Sequence, residues 1–233
     1  MAEGEPSGGP DQAAELVATL THEIRAPVST IRGLVATTLA HYDGLNDGER
    51  REFLELIRHE AQRLERTVEQ IAAALKLDAG RVRWDRRPHD VVALVRETVE
   101  KQDPGAHPIE LEAEDGVRAS VDATQLTFAV AQLLDNAAGF SPPDAQISVR
   151  VHRDGDDAVI DVIDGGPGIR ADQRGAVFER FAAWRPEGYE DRPGTGLGLY
   201  LCRAIARAHG GDASIADARA GGTMLTVRFP AEG

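Results

Sequence analysis

The chain has 233 residues, 42% hydrophobic and 28% charged, which is the composition of a folded globular protein and not of a disordered one. Its 26 basic against 39 acidic side chains leave a formal charge of −13, which argues against nucleic acid or an anionic membrane as the main partner. A single cysteine, Cys202, excludes an internal disulfide and any zinc site needing several thiolates; on a helix it reads as a small buried hydrophobe.

Residues 1–10 are rich in Gly, Pro, Glu and Ser and lack the basic and apolar regions of a signal peptide, so a flexible tail is expected over 1–12. No apolar run approaches the roughly 18 residues that span a bilayer, and a cytoplasmic chain is expected. From Asp11 the apolar residues Val17, Leu20, Ile24, Ile31, Leu34 and Val35 recur at helical spacing, with Pro27 expected to interrupt and bend the run. Turn formers fill 41–48, and Asn46 or Asp47 is placed to cap a second helix with Glu49 in its first turn. That helix carries Leu54, Ile57, Ala61, Leu64, Val68, Ile71 and Leu75 at alternating steps of three and four, a heptad seam. Two helices cannot bury such stripes alone, and a symmetric dimer making a four-helix bundle is the simplest solution.

Composition changes after Gly80. The basic stretch 81–87 reads as a linker into a short strand, followed by a helix over 91–99 and strands over 109–113 and 117–121. Asp122 is a natural cap for a helix over 124–138. Strands over 147–151 and 158–163 form a hairpin turning at Asp154-Gly155-Asp156, and helices are expected over 171–178 and 197–209. Strands over 213–215 and 223–229 close the chain. The fold class is therefore α+β in two domains: a helical hairpin at 13–80, then an α/β sandwich with one mixed sheet at 81–233.

Within this frame, several clusters can carry chemistry. Thr21-His22-Glu23-Ile24-Arg25-Ala26-Pro27 sets an imidazole beside a carboxylate, a nucleophile with an acid/base neighbour. Gln132 and Asn136, four apart, share a helix face, and an amide oxygen such as that of Asn136 suits Mg2+; surface amides on an amphipathic helix are the plainer alternative. Asp164-Gly165-Gly166-Pro167-Gly168-Ile169 follows a strand; the carboxylate can accept from an exocyclic amine such as that of adenine, although such a run can also be only a turn. Gly194-Thr195-Gly196-Leu197-Gly198-Leu199 opens a helix, so its N–H groups suit phosphate, without the Lys-Ser/Thr pair of a Walker loop. Residues 182–193 between the glycine clusters read either as a lid or as an ordinary surface loop.

The order of these pieces, with Phe178-Glu179-Arg180-Phe181 between the glycine clusters, resembles the H, N, G1, F and G2 boxes of sensor histidine kinases. The resemblance extends from about Glu15 to Pro230 and takes in His209-Gly210-Gly211 and Gly221-Gly222-Thr223. It implies a HisKA-type dimerisation and phosphoacceptor hairpin followed by a Bergerat-type (GHKL) ATP-binding domain. His22 then matches the phosphoacceptor and Glu23 its acid/base. Asn136 matches the Mg2+ ligand, with Gln132 and Phe140 in the same box, and Asp164 matches the adenine-reading carboxylate, with Gly166, Gly168 and Ile169 after it. Arg180 falls in the F box, and Gly194, Thr195, Gly196, Leu197, Gly198 and Leu199 at the lid and phosphates. The expected cofactors are ATP and Mg2+, and the expected partners are a second copy of the chain and a response-regulator receiver domain whose aspartate takes the phosphoryl group. The remaining alternative is a nucleotide-binding protein of the same superfamily without this activity, a serine-directed kinase, an ATP-driven clamp or a dimerising pseudokinase scaffold.

Three positions depart from the family pattern. Gln132 stands where Asn is usual, and Gly139 where a Lys or Arg usually reaches toward phosphate; Arg180 or Arg185 is the expected replacement cation, with modest activity. Ala26 stands where bifunctional members have Thr or Asn to hold a water, so weak phosphatase activity toward the regulator is expected.

Overall fold

The computed structural model describes residues 10–102, 107–182, 184–218 and 221–232, with the side chains of the first helix from Val17 onward. Of the tail expected over 1–12, residues 1–9 lie outside the described residues and the rest already belong to a helix. The chain divides into two compact units: one runs to Ala73 and includes Pro193–Thr195, and the other comprises Ala74–Arg192 and Gly196–Gly233.

The first unit is a hairpin of α1 (Pro10–Ala40) and α2 (Asp47–Asp78). Asn46 and Glu49 close a reciprocal cap at the start of α2: Glu49 N–H donates to Asn46 Oδ1 at 3.0 Å, and Asn46 N–H to Glu49 Oε2 at 2.8 Å. Pro27 sits inside a continuous α1 and does not end it. Having no N–H, it leaves the Glu23 carbonyl without its helical donor. The α2 seam resolves into two rows at heptad spacing. Ile57, Leu64 and Ile71 are half-buried, whereas Leu54, Ala61, Val68 and Leu75 are exposed. On α1, Val17, Ile24, Val28, Val35 and Leu39 are likewise exposed.

The second unit contains β1 (Arg87–Asp90), α3 (Val91–Lys101), β2 (Ile109–Ala113), β3 (Arg118–Val121) and α4 (Ala123–Phe140). It continues with β4 (Ile147–Asp154), β5 (Asp157–Ile163), α5 (Gly198–Ala208), β6 (Asp212–Asp217) and β7 (Thr223–Pro230). The five-stranded sheet has the order β2-β4-β5-β7-β6; β2 and β4 are parallel and the other pairs antiparallel. The expected single sheet is thus mixed but incomplete, because β3 pairs with β1 in a separate two-stranded ribbon. Val149, Val151, Ile160, Val162, Leu225, Val227 and Phe229 alternate onto one sheet face, where the core meets Val91 and Val95 of α3, Leu126, Val130 and Leu133 of α4, and Ile205 of α5. Cys202 is buried there with its thiol on the Ala129 carbonyl, and burial pushes its pKa up.

Each ribbon strand leads directly into a capping aspartate. Asp90 accepts from Ala93 N–H to start α3, and Asp122 from Gln125 N–H to start α4. Asp122 does more: its Oδ2 accepts from Asp85 N–H at 3.0 Å, and its own N–H donates to His209 Nε2 at 3.0 Å. His209 must then carry its proton on Nδ1, which lies 2.8 Å from the Ile205 carbonyl. Trp84 and Phe229 meet the ring edge-on. The helix expected over 171–178 is not formed; 171–175 turn, and only Ala176–Phe178 closes a 3-10 turn. Arg174 instead spends its Nε on the Ile169 carbonyl at 2.9 Å, in a segment too short to sustain a helix. Likewise α5 begins at Gly198 and not at Leu197, which is its uncapped flank.

Burial lowers the His209 pKa below the ordinary 6.5, opposed by its bond to the Ile205 carbonyl. A lowered histidine pKa contributes stability that is complete above 6.5 and lost as pH falls through the folded value. Urea unfolding is therefore expected to show His209→Phe less stable than the parent chain by about 2 kcal/mol at pH 7.5, through two lost hydrogen bonds. The difference should narrow on acidification to pH 5; a gap independent of pH would contradict it.

Candidate functional site

In the helical unit, His22 and Glu23 occupy opposite environments. The His22 side chain is 80% exposed, whereas Glu23 is buried to 7%. Glu23 and Pro27, four apart, share the buried stripe of α1. The carboxylate approaches His22 Nδ1 at 3.7 Å through Oε1 and is tied through Oε2 to Arg63 on α2 at 3.2 Å. Arg63 in turn meets Glu60, one turn away, at 3.4 Å. A buried carboxylate without a partner is costly, so Arg63 is what allows Glu23 to stand inside the hairpin beside an exposed imidazole. Arg63 went unnoticed in the sequence because a charged residue among the seam positions of α2 looks like ordinary helix surface. Ala26, one turn from His22, is half-buried.

In the α/β unit, Asp164 is the anchor. It is 5% exposed at the end of β5; its Oδ1 accepts from Gly166 N–H at 2.8 Å and from Thr223 N–H at 3.2 Å, and its own N–H donates to the Thr223 carbonyl at 2.9 Å. Burial raises its pKa above the usual carboxylate value, and the two N–H groups oppose that rise. The backbone packs so closely here that only glycine fits. A Cβ on Gly166 would meet the Phe140 carbonyl oxygen at 2.7 Å, and one on Gly222 would fall on the Asp164 carbonyl. Gly168 turns with φ +78° and delivers Ile169 to the edge of the core. Gly222 and Thr223, which the sequence offers only as the closing strand, thus hold Asp164 in place.

Gly166 also brings the end of α4 into the site. Along that helix Gln132 is buried at 4%, Asn136 is half-exposed, and Phe140 stacks obliquely on Tyr189 with ring centroids 5.7 Å apart. Gln132 therefore lies in the core face while Asn136 lies at its rim. At the other glycine cluster, Gly196 has φ +68° and no room for a Cβ against the Ala182 backbone, 2.6 Å away. Leu197 is fully buried, Gly198 starts α5 and Leu199 packs at the edge of the core. Gly194 and Thr195 group instead with the helical unit.

The arginines at 180, 185 and 192 have distinct partners. Arg180 pairs with Asp78 at 2.7 Å and lies over the rings of Phe181 and Tyr200. Arg185 is engaged by the carbonyls of Ala182, Trp184 and Arg192. Neither of these expected replacements is placed at Gly139. The guanidinium beside Gly139 belongs to Arg192, which no motif singles out.

A buried carboxylate flanked by glycine turns, and a glycine-opened helix whose first N–H groups are uncommitted within α5, fit a purine nucleotide with phosphates. Residues 12–80 match the His Kinase A (phospho-acceptor) domain, and 121–233 match the histidine kinase-, DNA gyrase B-, and HSP90-like ATPase family. The solved mycobacterial sensor histidine kinase MprB shares 30% identity with a TM-score of 0.55, over 63% of this chain and 98% of that one. The chain belongs to the sensor histidine kinase family of two-component systems. Among other sensor histidine kinases, the sensor protein ChvG of Rhizobium meliloti is 32% identical over 92% of this chain and 40% of its own length. The sensor protein KdpD of Clostridium acetobutylicum is 28% identical over 94% of this chain and 25% of its own. The chain thus spans well under half the length of these relatives. No helix among the described residues is long and apolar enough to cross a membrane.

Because its pKa is raised, ionised Asp164 costs stability: its contribution is complete below the ordinary carboxylate pKa and is lost as pH rises through the folded value. An asparagine keeps the oxygen that accepts from Gly166 and Thr223 without the buried charge. Asp164→Asn is expected to melt no lower than the parent chain at pH 7.5 and to lose this part of the pH dependence; a lower melting temperature at that pH would count against it.

Proposed function

We propose that this chain is an ATP-dependent protein-histidine kinase that phosphorylates His22 and relays the phosphoryl group to an aspartate of a response-regulator receiver domain. The observation that carries the reading is the pairing, on one helical turn, of an exposed imidazole with a buried carboxylate held by Arg63. Residues 13–80 act as the dimerisation and phosphotransfer hairpin and 81–233 as the ATP-binding domain. Bound ATP supplies the γ-phosphoryl group and Mg2+ neutralises its charge. With Glu23 on the Nδ1 side, His22 presents Nε2 as the nucleophile. As the N–P bond forms and the bond to the bridging oxygen of ADP breaks, Glu23 stabilises or takes the Nδ1 proton.

In the nucleotide domain, Asp164 reads the adenine amine, and Gly166, Gly168 and Ile169 shape the turn beside it. Asn136 would hold Mg2+ through its amide oxygen, and the ion would supply charge neutralisation at the phosphates. Gln132 supports this helix face from within, and Phe140 flanks it. Gly194, Thr195, Gly196, Leu197, Gly198 and Leu199 form the phosphate-side lid hinge, with Arg180 at its root. ATP consumption places the chemistry on the cytoplasmic side. Folded Asp164→Asn is expected to lose adenine-nucleotide affinity.

Labelling from [γ-32P]ATP should disappear in His22→Gln while nucleotide binding persists, and the parent label should be acid-labile. An acid-stable label, or label retained in the variant, would reject the site and favour a serine-directed kinase. In the same preparation, Ala26 is expected to give no clear acceleration of regulator dephosphorylation with ADP, since a methyl group cannot position a water.

The homodimer is supported by the exposed α2 row Leu54, Ala61, Val68 and Leu75, apolar at heptad spacing and continued by the exposed apolar positions of α1. A charge in the middle of that row would be buried on association. Val68→Glu should sediment as a monomer at concentrations where the parent is dimeric, and an unchanged dimer would place the interface elsewhere.

A further inference from the structure

Position 139 and position 192 compete for one space. Gly139 lies in the last turn of α4, and a Cβ built there would fall inside the guanidinium of Arg192. That guanidinium is seated, not merely passing: its Nη2 donates to the Asp135 carbonyl at 3.3 Å, and its Cζ stands 4.4 Å from the centroid of the Phe140 ring. The backbone around it is also fixed. Arg192 N–H donates to the Tyr189 carbonyl at 3.0 Å, Tyr189 packs on Phe140, and Arg185 Nε holds the Arg192 carbonyl at 3.2 Å. The arginine thus reaches from the segment before Gly196 onto the end of α4, next to Gly139 and over the ring of Phe140, whose carbonyl Gly166 abuts.

We infer that Arg192 is a phosphate-binding residue of the nucleotide site, a cation delivered from the lid to the place that a side chain at position 139 would otherwise occupy. This deepens the ATP-binding reading and rests on it. A nucleoside triphosphate brings several negative charges to a chain whose own formal charge is already −13, so a local cation is needed. Guanidinium suits the task, because its planar fork of five N–H donors matches phosphate oxygens while its face rests on an aromatic ring. Arg180 and Arg185 are seated elsewhere, the former on Asp78 and the latter on the carbonyls of Ala182, Trp184 and Arg192, whereas Arg192 is the guanidinium against Gly139. Glycine at 139 is in this view not a lost cation but the vacancy that admits Arg192.

The test is the equilibrium affinity of the full chain for Mg-ATP and for adenosine, read by ligand-observed NMR, with thermal melting as the check on folding. Arg192→Gln is expected to weaken Mg-ATP binding roughly tenfold, the size of a charge-assisted hydrogen bond, while adenosine stays within about twofold. Arg192→Lys should keep most of the preference for ATP. Gly139→Lys combined with Arg192→Gln, which returns a cation to the same space from α4, should restore ATP affinity. Unchanged ATP affinity in Arg192→Gln, an equal loss for ATP and adenosine, or no recovery in the double variant would overturn the assignment. A parent chain that binds neither ligand would overturn the ATP-binding reading itself, and this inference with it.

Discussion

The position of the residues around Asp164 and the end of α4 depends on Asp122. Its carboxylate starts α4 through Gln125 and holds the incoming 81–87 segment through Asp85, while its backbone N–H is fixed by His209 at the end of α5. Three segments distant in sequence meet at one residue. Because an α-helix advances 1.5 Å and 100° per residue, fixing where α4 starts also fixes where Asn136, Gly139 and Phe140 emerge at its other end. The carbonyl of Phe140 then limits the G1 turn to glycine, and that turn positions Asp164. The site is thus set out by a cap at the far end of the helix that serves it.

The helical unit solves a different problem with the same economy. A carboxylate keeps one direction beside an imidazole only if it is held, since solvent would let it rotate away. Burial of Glu23 restricts it, and Arg63 from the opposite helix keeps that burial tolerable. His22 stays outside, open to solvent. Exposure of the imidazole and burial of the carboxylate are two outcomes of consecutive positions on one helix, 100° apart around its axis.

Much of this was legible in the sequence because the signals were local. Asp122 before an apolar run, Asn46 with Glu49, the Asp154-Gly155-Asp156 hairpin and the heptad seam all carry their structure within a few residues. The failures were non-local or marginal. Nothing in 118–121 says that it pairs with 87–90 and leaves the main sheet, because strand partners are chosen by tertiary packing. Residues 171–178 have helical composition but too little length to pay for nucleation, and Arg174 found a carbonyl instead. At the site, the residue types were readable from motif order, whereas their supports were not. Arg63, Thr223 and Arg192 each act across a long stretch of chain; only the bare glycine at 139 hinted that something else must fill the space.

Pro27 gives α1 a mechanical property. One rung of the backbone ladder is missing at the Glu23 carbonyl, so α1 resists bending less there than along the rest of its length. That soft point lies in the turn that carries the imidazole and its carboxylate. A change in the tilt of the N-terminal half of α1 would be absorbed at His22 before it strained the lower hairpin. The helix is therefore stiff on either side of a compliant joint beside the exposed imidazole.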